Sequence, residues 1–127
     1  MPRVLLVDDT PEIAELLSWA LRDRGHEVLA TGFTPGVDDL IVANGADALV
    51  LDCSVFEMSA SLFDIVRDRP ELAELPIVII SDTPEIADEA LRRRHARRVL
   101  LIPKPFTGSQ VARALEEMLA PDASRRP

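Results

Sequence analysis

Four short apolar runs in this chain each end in a polar residue able to do chemistry. Val4–Val7 precede Asp8 and Asp9, and Ala48–Leu51 precede Asp52. Ile77–Ile80 precede Ser81, and Val99–Ile102 precede Pro103, Lys104 and Pro105. If these ends share one edge, they bring together carboxylates, a hydroxyl and an amine. Crowded carboxylates repel one another unless they are protonated or hold a cation, and hard oxygen donors without soft ones suit Mg²⁺. An aspartate can also attack phosphorus and form an acyl phosphate, which is the role expected of Asp52. Lys104 would then balance the charge of a phosphoryl group, and the Ser81 hydroxyl would hydrogen-bond to it. Any one of these aspartates alone reads as a helix cap or a solvated loop residue. The set at successive run ends carries the chemical reading.

The elements that must position these groups follow from the pattern. Short runs rich in Val, Ile and Leu between helical stretches read as buried parallel strands. Strands are expected at 3–7, 26–31, 48–52, 77–81 and 98–102. The first helix opens at Thr10-Pro11, with Thr10 at the N-cap and Pro11 at the first helical position. Its stripe is Ile13, Leu16, Leu17, Ala20 and Leu21, and Gly25 ends it. A weaker helix runs from Val37 to Ala43. A third starts at Ser59 or Ser61 and runs to about Arg69, a fourth spans Pro84 to about Arg94, and a fifth starts near Gly108. Strict alternation gives a parallel sheet with helices on both faces, and the common order for five strands is 2-1-3-4-5. Its switch point lies between the strands ending in Asp8-Asp9 and in Asp52, where open α/β sheets bind ligands. The hexapeptide Asp-Thr-Pro-Glu-Ile-Ala at 9–14 recurs at 82–87. It reads as a shared strand-to-helix turn, and it puts Asp82 on the same edge.

A length of 127 residues is one domain with room for a real core. The expected division is a folded unit at 1–120 and a polar tail at 121–127. The net charge of −8 argues against general nucleic-acid or anionic-membrane binding. A single cysteine, Cys53, cannot form an internal disulfide, and the start of the chain lacks secretory-signal architecture. These features point to a cytoplasmic protein without a membrane span. Cys53 follows Asp52 in a strand, so alternation should turn its thiol away from the Asp52 side chain and into the core. No Gly-rich phosphate loop follows the first strand, where Asp-Asp-Thr-Pro stands, which disfavours a nucleotide-binding enzyme.

Val7-Asp8-Asp9, Leu51-Asp52, a strand ending in Ser81, and Lys104-Pro105-Phe106 together resemble the receiver domain of two-component response regulators, over nearly the whole chain. The resemblance implies a flavodoxin-like fold and a phosphoacceptor at Asp52. It also implies Mg²⁺ held by Asp8, Asp9, Asp52 and the backbone carbonyl of Ser54. Ser81 and Lys104 would stabilise the phosphoryl group, and a cis bond before Pro105 would aim the amine at the site. The implied donor is a sensor histidine kinase or a phosphotransfer protein. The output would be a downstream protein or a second copy docking on the face from helix four to helix five, with no separate output domain in this chain. On this reading the protein modifies only its own Asp52 and turns over no external substrate. The alternative is a receiver that binds partners without phosphorylation.

The chain departs from the family pattern at informative places. Leu101 stands where a Tyr or Phe usually swings inward. Asp82 stands where a small residue usually leaves the site open, and its charge should slow phosphorylation or attract a cation. Val55-Phe56-Glu57-Met58 replaces a Pro-Gly loop, and Arg97-Arg98 replaces Gly-Ala. The run Arg92, Arg93, Arg94, His95, Arg97 and Arg98 suits a helix C-terminus and offers a surface for an acidic partner. Trp19 lies off the first helix's stripe, as a core edge or a partner anchor. His95 reads as a surface side chain, and His26 as a turn residue without a role.

Overall fold

Side chains along a strand alternate between its two faces, and that alternation divides this core in two. The computed structural model describes residues 1–120; the expected tail at 121–127 lies outside the described residues. The strands are β1 (Arg3–Asp8), β2 (Glu27–Thr31), β3 (Ala48–Asp52), β4 (Ile77–Ser81) and β5 (Val99–Pro103). All pair in parallel, in the order β2-β1-β3-β4-β5. The helices are α1 (Pro11–Asp23), α2 (Val37–Asn44), α3 (Phe56–Asp68), α4 (Pro84–Arg93) and α5 (Gly108–Leu119), with a 3-10 turn at Pro70–Leu72.

Leu5, Val7, Leu49, Leu51, Ile77 and Ile79 point to one face, under Val37 and Ile41 of α2, Leu62, Phe63 and Val66 of α3, and Ala87 and Leu91 of α4. Val4, Leu6, Val50, Val78, Ile80 and Ile102 point to the other, under Leu17 and Leu21 of α1 and Val111, Leu115 and Met118 of α5. Every residue of β3 and β4 is buried. Their polar ends, Asp52 and Ser81, are therefore held by rigid elements rather than by loops.

Three local expectations are corrected. Helix α3 begins at Phe56, not at Ser59 or Ser61. Val55 takes the extended N-cap conformation, Phe56 packs into the core, and Ser59 is buried inside the helix rather than capping it. Leu16 does not belong to the buried stripe of α1; it is 63% exposed, and Leu17, Ser18 and Leu21 are the buried residues. The contact of α1 with the sheet and α5 is narrower than the helix's apolar arc. His26, which reads in sequence as a turn residue without a role, is buried and has a partner. Its Nε2 lies 3.2 Å from Glu116 of α5, whose carboxylate also receives both donors of Arg24.

Helix starts show how the loops are fixed. Thr10 occupies the N-cap position of α1 as expected, yet its hydroxyl caps nothing. Instead, the Thr10 backbone N–H donates to Asp8 Oδ1 at 2.8 Å, so the turn out of β1 is closed by the site's own carboxylate. At α5, Thr107 and Gln110 form a reciprocal capping box. Gly108 allows a close approach there: a β-carbon built on it would lie 2.4 Å from Ala20 Cβ of α1.

Candidate functional site

The register across the sheet sets the site. Asp8 at the end of β1 is directly opposite Asp52 at the end of β3, and Ser81 at the end of β4 is opposite Pro103 of β5. Pro103 has no N–H to give, and the next residue supplies it: the Lys104 backbone N–H donates to the Ser81 carbonyl at 2.8 Å. The Lys104–Pro105 bond is cis, as expected. The Lys104 side chain turns back over the sheet edge, with Nζ 3.0 Å from Asp52 Oδ1.

The electrostatics are those of crowded carboxylates relieved by one amine. Asp8 and Asp52 are 5% and 2% exposed. Each keeps one buried oxygen, Oδ2, without a hydrogen-bond partner. Burial pushes the Asp8 carboxyl up to about 7, against the Thr10 N–H that favours its charged form, and the neighbouring charges of Asp52 and Asp9 add to the rise. Burial works against the Lys104 ammonium. The hydrogen bond and charge of Asp52, with the charges of Asp82 and Asp8, outweigh it and hold that amine above its ordinary range. Asp9 behaves differently. Its carboxylate accepts from the Ser54 N–H at 3.1 and 3.0 Å and from the Ser54 hydroxyl, and that hydroxyl is the main cause holding Asp9 below the usual carboxylate range.

Two adjacent buried carboxylates with unsatisfied oxygens fit a hard divalent cation. Asp9, in contrast, is turned onto Ser54, and among the described residues no three acidic, His or Cys side chains are already gathered as a metal cage. The Ser81 hydroxyl accepts from the Thr83 N–H at 3.0 Å and lies 3.2 Å from the Thr83 hydroxyl. Thr83 was not singled out in the sequence, although its place two residues past Ser81 is a familiar hydroxyl-turn spacing.

No family model and no curated protein matches the chain. Solved structures do. The receiver domain of NtrX from Brucella abortus is 27% identical, with 91% of this chain and 97% of that one covered and a TM-score of 0.71. The chemotaxis response regulator CheY4 of Vibrio cholerae is 26% identical, with 94% and 99% covered and a TM-score of 0.69. The chain has the fold of response-regulator receiver domains. The receiver domain of a sensor histidine kinase from Pseudomonas aeruginosa PAO1, described with a magnesium ion coordinated in its active-site cleft, shares the fold at 19% identity, 92% and 96% coverage and a TM-score of 0.76.

The remaining candidate residues of this receiver fall in distinct places. Asp82 is exposed at the rim, close enough for its charge to bear on Lys104. Leu101 is half-buried and packs into the core face shared with α4. Trp19 is 71% exposed, and with Glu15, Arg22 and Thr31 it lines a groove that reaches Asp8 and Asp9. The arginine run is largely occupied within the receiver. Arg92 pairs with Asp88, Arg93 with Glu89, Arg94 with Asp64 and Arg97 with Glu74. Arg98 has a positive φ of 55° and donates to the carbonyls of Glu74 and Met118. The strip that sequence offers either as a solvated helix end or as a surface for an acidic partner thus has acidic partners within the chain. Cys53 is buried in the α3 face of the core, as alternation requires. Among the described residues, no helix is long and apolar enough to cross a membrane.

Proposed function

We propose that Asp52 accepts a phosphoryl group in a Mg²⁺-assisted transfer and that the resulting acyl phosphate switches a protein-binding surface. The observation that carries this reading is the Lys104–Asp52 contact at 3.0 Å, set beside an Asp8 carboxylate with a buried, unpartnered oxygen. The donor of matching chemistry is a phosphohistidine on a sensor kinase or phosphotransfer protein. An Asp52 oxygen attacks phosphorus, the P–N bond breaks, and the imidazole leaves with its electron pair and takes up a proton. Lys104 is released from sole charge of Asp52 and neutralises the incoming phosphoryl oxygens. Ser81 turns its hydroxyl, now accepting from Thr83, to donate to one of them.

Asp8, Asp9, Asp52 and the Ser54 carbonyl are the groups that would hold Mg²⁺, which shields the negative charge gathered at the transfer. The domain modifies only itself. Leu101 and the α4–β5–α5 face lie next to Ser81 and Lys104 along the chain, and their repacking is the proposed output, read by a partner protein or a second copy. The single buried cysteine and the kinase-type donor favour the cytoplasm as its setting.

Phosphodonor treatment of wild type beside Asp52→Asn, with Mg²⁺ or chelator, tests this by intact mass. One added phosphoryl group is expected only in wild type with Mg²⁺. A wild type that stays unmodified with its kinase as well would favour the second reading, a receiver that binds without phosphorylation. That reading is supported by Asp82 at the rim and by the aliphatic Leu101.

A further inference from the structure

The edge of the sheet holds two kinds of carboxylate. Asp8 and Asp52 each bury an oxygen that has no partner. Asp9 is instead engaged by one residue: the Ser54 backbone N–H reaches both its oxygens, at 3.1 and 3.0 Å, and the Ser54 hydroxyl donates to Oδ2 as well. Those bonds span 45 residues of sequence and tie the end of β1 to the loop between β3 and α3. A cation drawn to the free oxygens of Asp8 and Asp52 therefore meets a third carboxylate already held by Ser54.

Resting on the cation-dependent reading above, we propose that Ser54 is a positioning residue that sets divalent-cation affinity by holding Asp9 back from the Asp8–Asp52 pair. Cation entry then requires Asp9 to give up the Ser54 hydroxyl. Hydrogen bonds to an ionised acceptor are the strong ones, so this exchange opposes binding measurably. The backbone N–H stays with residue 54 whatever its side chain. The hydroxyl is the part that sequence can tune.

The test is titration with MgCl₂ of the full chain, read by calorimetry and by the fluorescence of Trp19, the one tryptophan in the chain, which lines the groove reaching Asp8 and Asp9. Ser54→Ala should tighten binding about three- to tenfold, and Ser54→Thr, which restores a hydroxyl, should return it toward wild type. In an Asp9→Asn background, Ser54→Ala should leave the affinity unchanged, a coupling that a merely structural role would not produce. Equal or weaker binding by Ser54→Ala, or the same gain with Asp9 replaced, overturns the proposal. Failure of every variant and of wild type to bind Mg²⁺ overturns it together with the metal-dependent reading. Binding by wild type with no Ser54 effect overturns this inference alone.

Discussion

Lys104 Nζ lies 3.0 Å from Asp52 Oδ1, and it reaches that carboxylate from β5, two strands away from β3. The contact joins an amine that is partly exposed to a carboxylate that is 2% exposed. It is the one cation in direct contact with the carboxylates at this edge among the described residues. Removing it leaves buried Asp52 facing Asp8 with no cation in contact with either. Lys104→Met should therefore lower stability by about 1–3 kcal/mol in chelator and slow phosphoryl acceptance at least about tenfold. Urea unfolding and timed intact-mass measurement read the two effects. Unchanged stability would mean that the amine does not offset the buried pair.

Asp8 makes a contribution to the pH dependence whose sign is opposite to that of Asp9 and Glu116, whose carboxyls are held low. The Asp8 carboxyl is raised from an ordinary 3.8 to about 7, chiefly by burial. A carboxyl raised on folding favours the folded state while protonated, so this contribution is full below 3.8 and is lost as pH rises through about 7. Asp8→Asn keeps the oxygen that accepts from the Thr10 N–H and removes the charge. In chelator at pH 8 it should be more stable than wild type by roughly 1–2 kcal/mol. Its urea midpoint should also vary less between pH 4 and 7. A variant less stable than wild type at pH 8 would contradict this electrostatic picture.

Asp82 sits at the rim where its charge acts on Lys104. An extra carboxylate there repels an anionic phosphodonor and competes for the amine. Asp82→Ala should raise the rate of phosphorylation by a small phosphodonor about two- to fivefold at low salt, with the gain shrinking as salt screens it. Time courses at two ionic strengths measure both. A slower variant would show that Asp82 assists the reaction.

Gly108 is a steric prediction independent of the site. A methyl group there meets Ala20 Cβ at 2.4 Å, between the first turn of α5 and α1. Gly108→Ala should cost about 1–3 kcal/mol, and adding Ala20→Gly should recover part of the loss. Additive penalties in the double variant would contradict the close approach.

The tips of the strands were legible because β3 and β4 are buried along their whole length, so their apolar runs stop where the polar edge begins. Strand order followed from the βα alternation, and with it the meeting of Asp8, Asp52, Ser81 and Lys104. Features set by distant partners were not legible. His26 looked like a turn residue because its partner, Glu116, is 90 residues away. The Ser54 hydroxyl carries no local signal because its partner, Asp9, lies 45 residues back. Ser59 and Ser61 resembled helix caps, but Phe56 needed burial and drew the start of α3 forward. Leu16 fitted the helical period and still faces water, since periodicity marks an arc of α1 without showing how wide its contact is. The arginine run carried no sign in sequence of Asp64 or Glu74, which match its charge.

Phosphorylation at residue 52 can be read at the atom concerned. An acyl phosphate is cleaved by borohydride to the corresponding alcohol, so reduction after phosphodonor and Mg²⁺ treatment, followed by peptide mass mapping, marks the modified carboxylate. The account predicts the reduced side chain at Asp52 and nowhere else, and only when Mg²⁺ is present during treatment. A mark on Asp8, Asp9 or Asp82 with Asp52 intact, or no mark anywhere after incubation with a phosphorylated kinase, would contradict it.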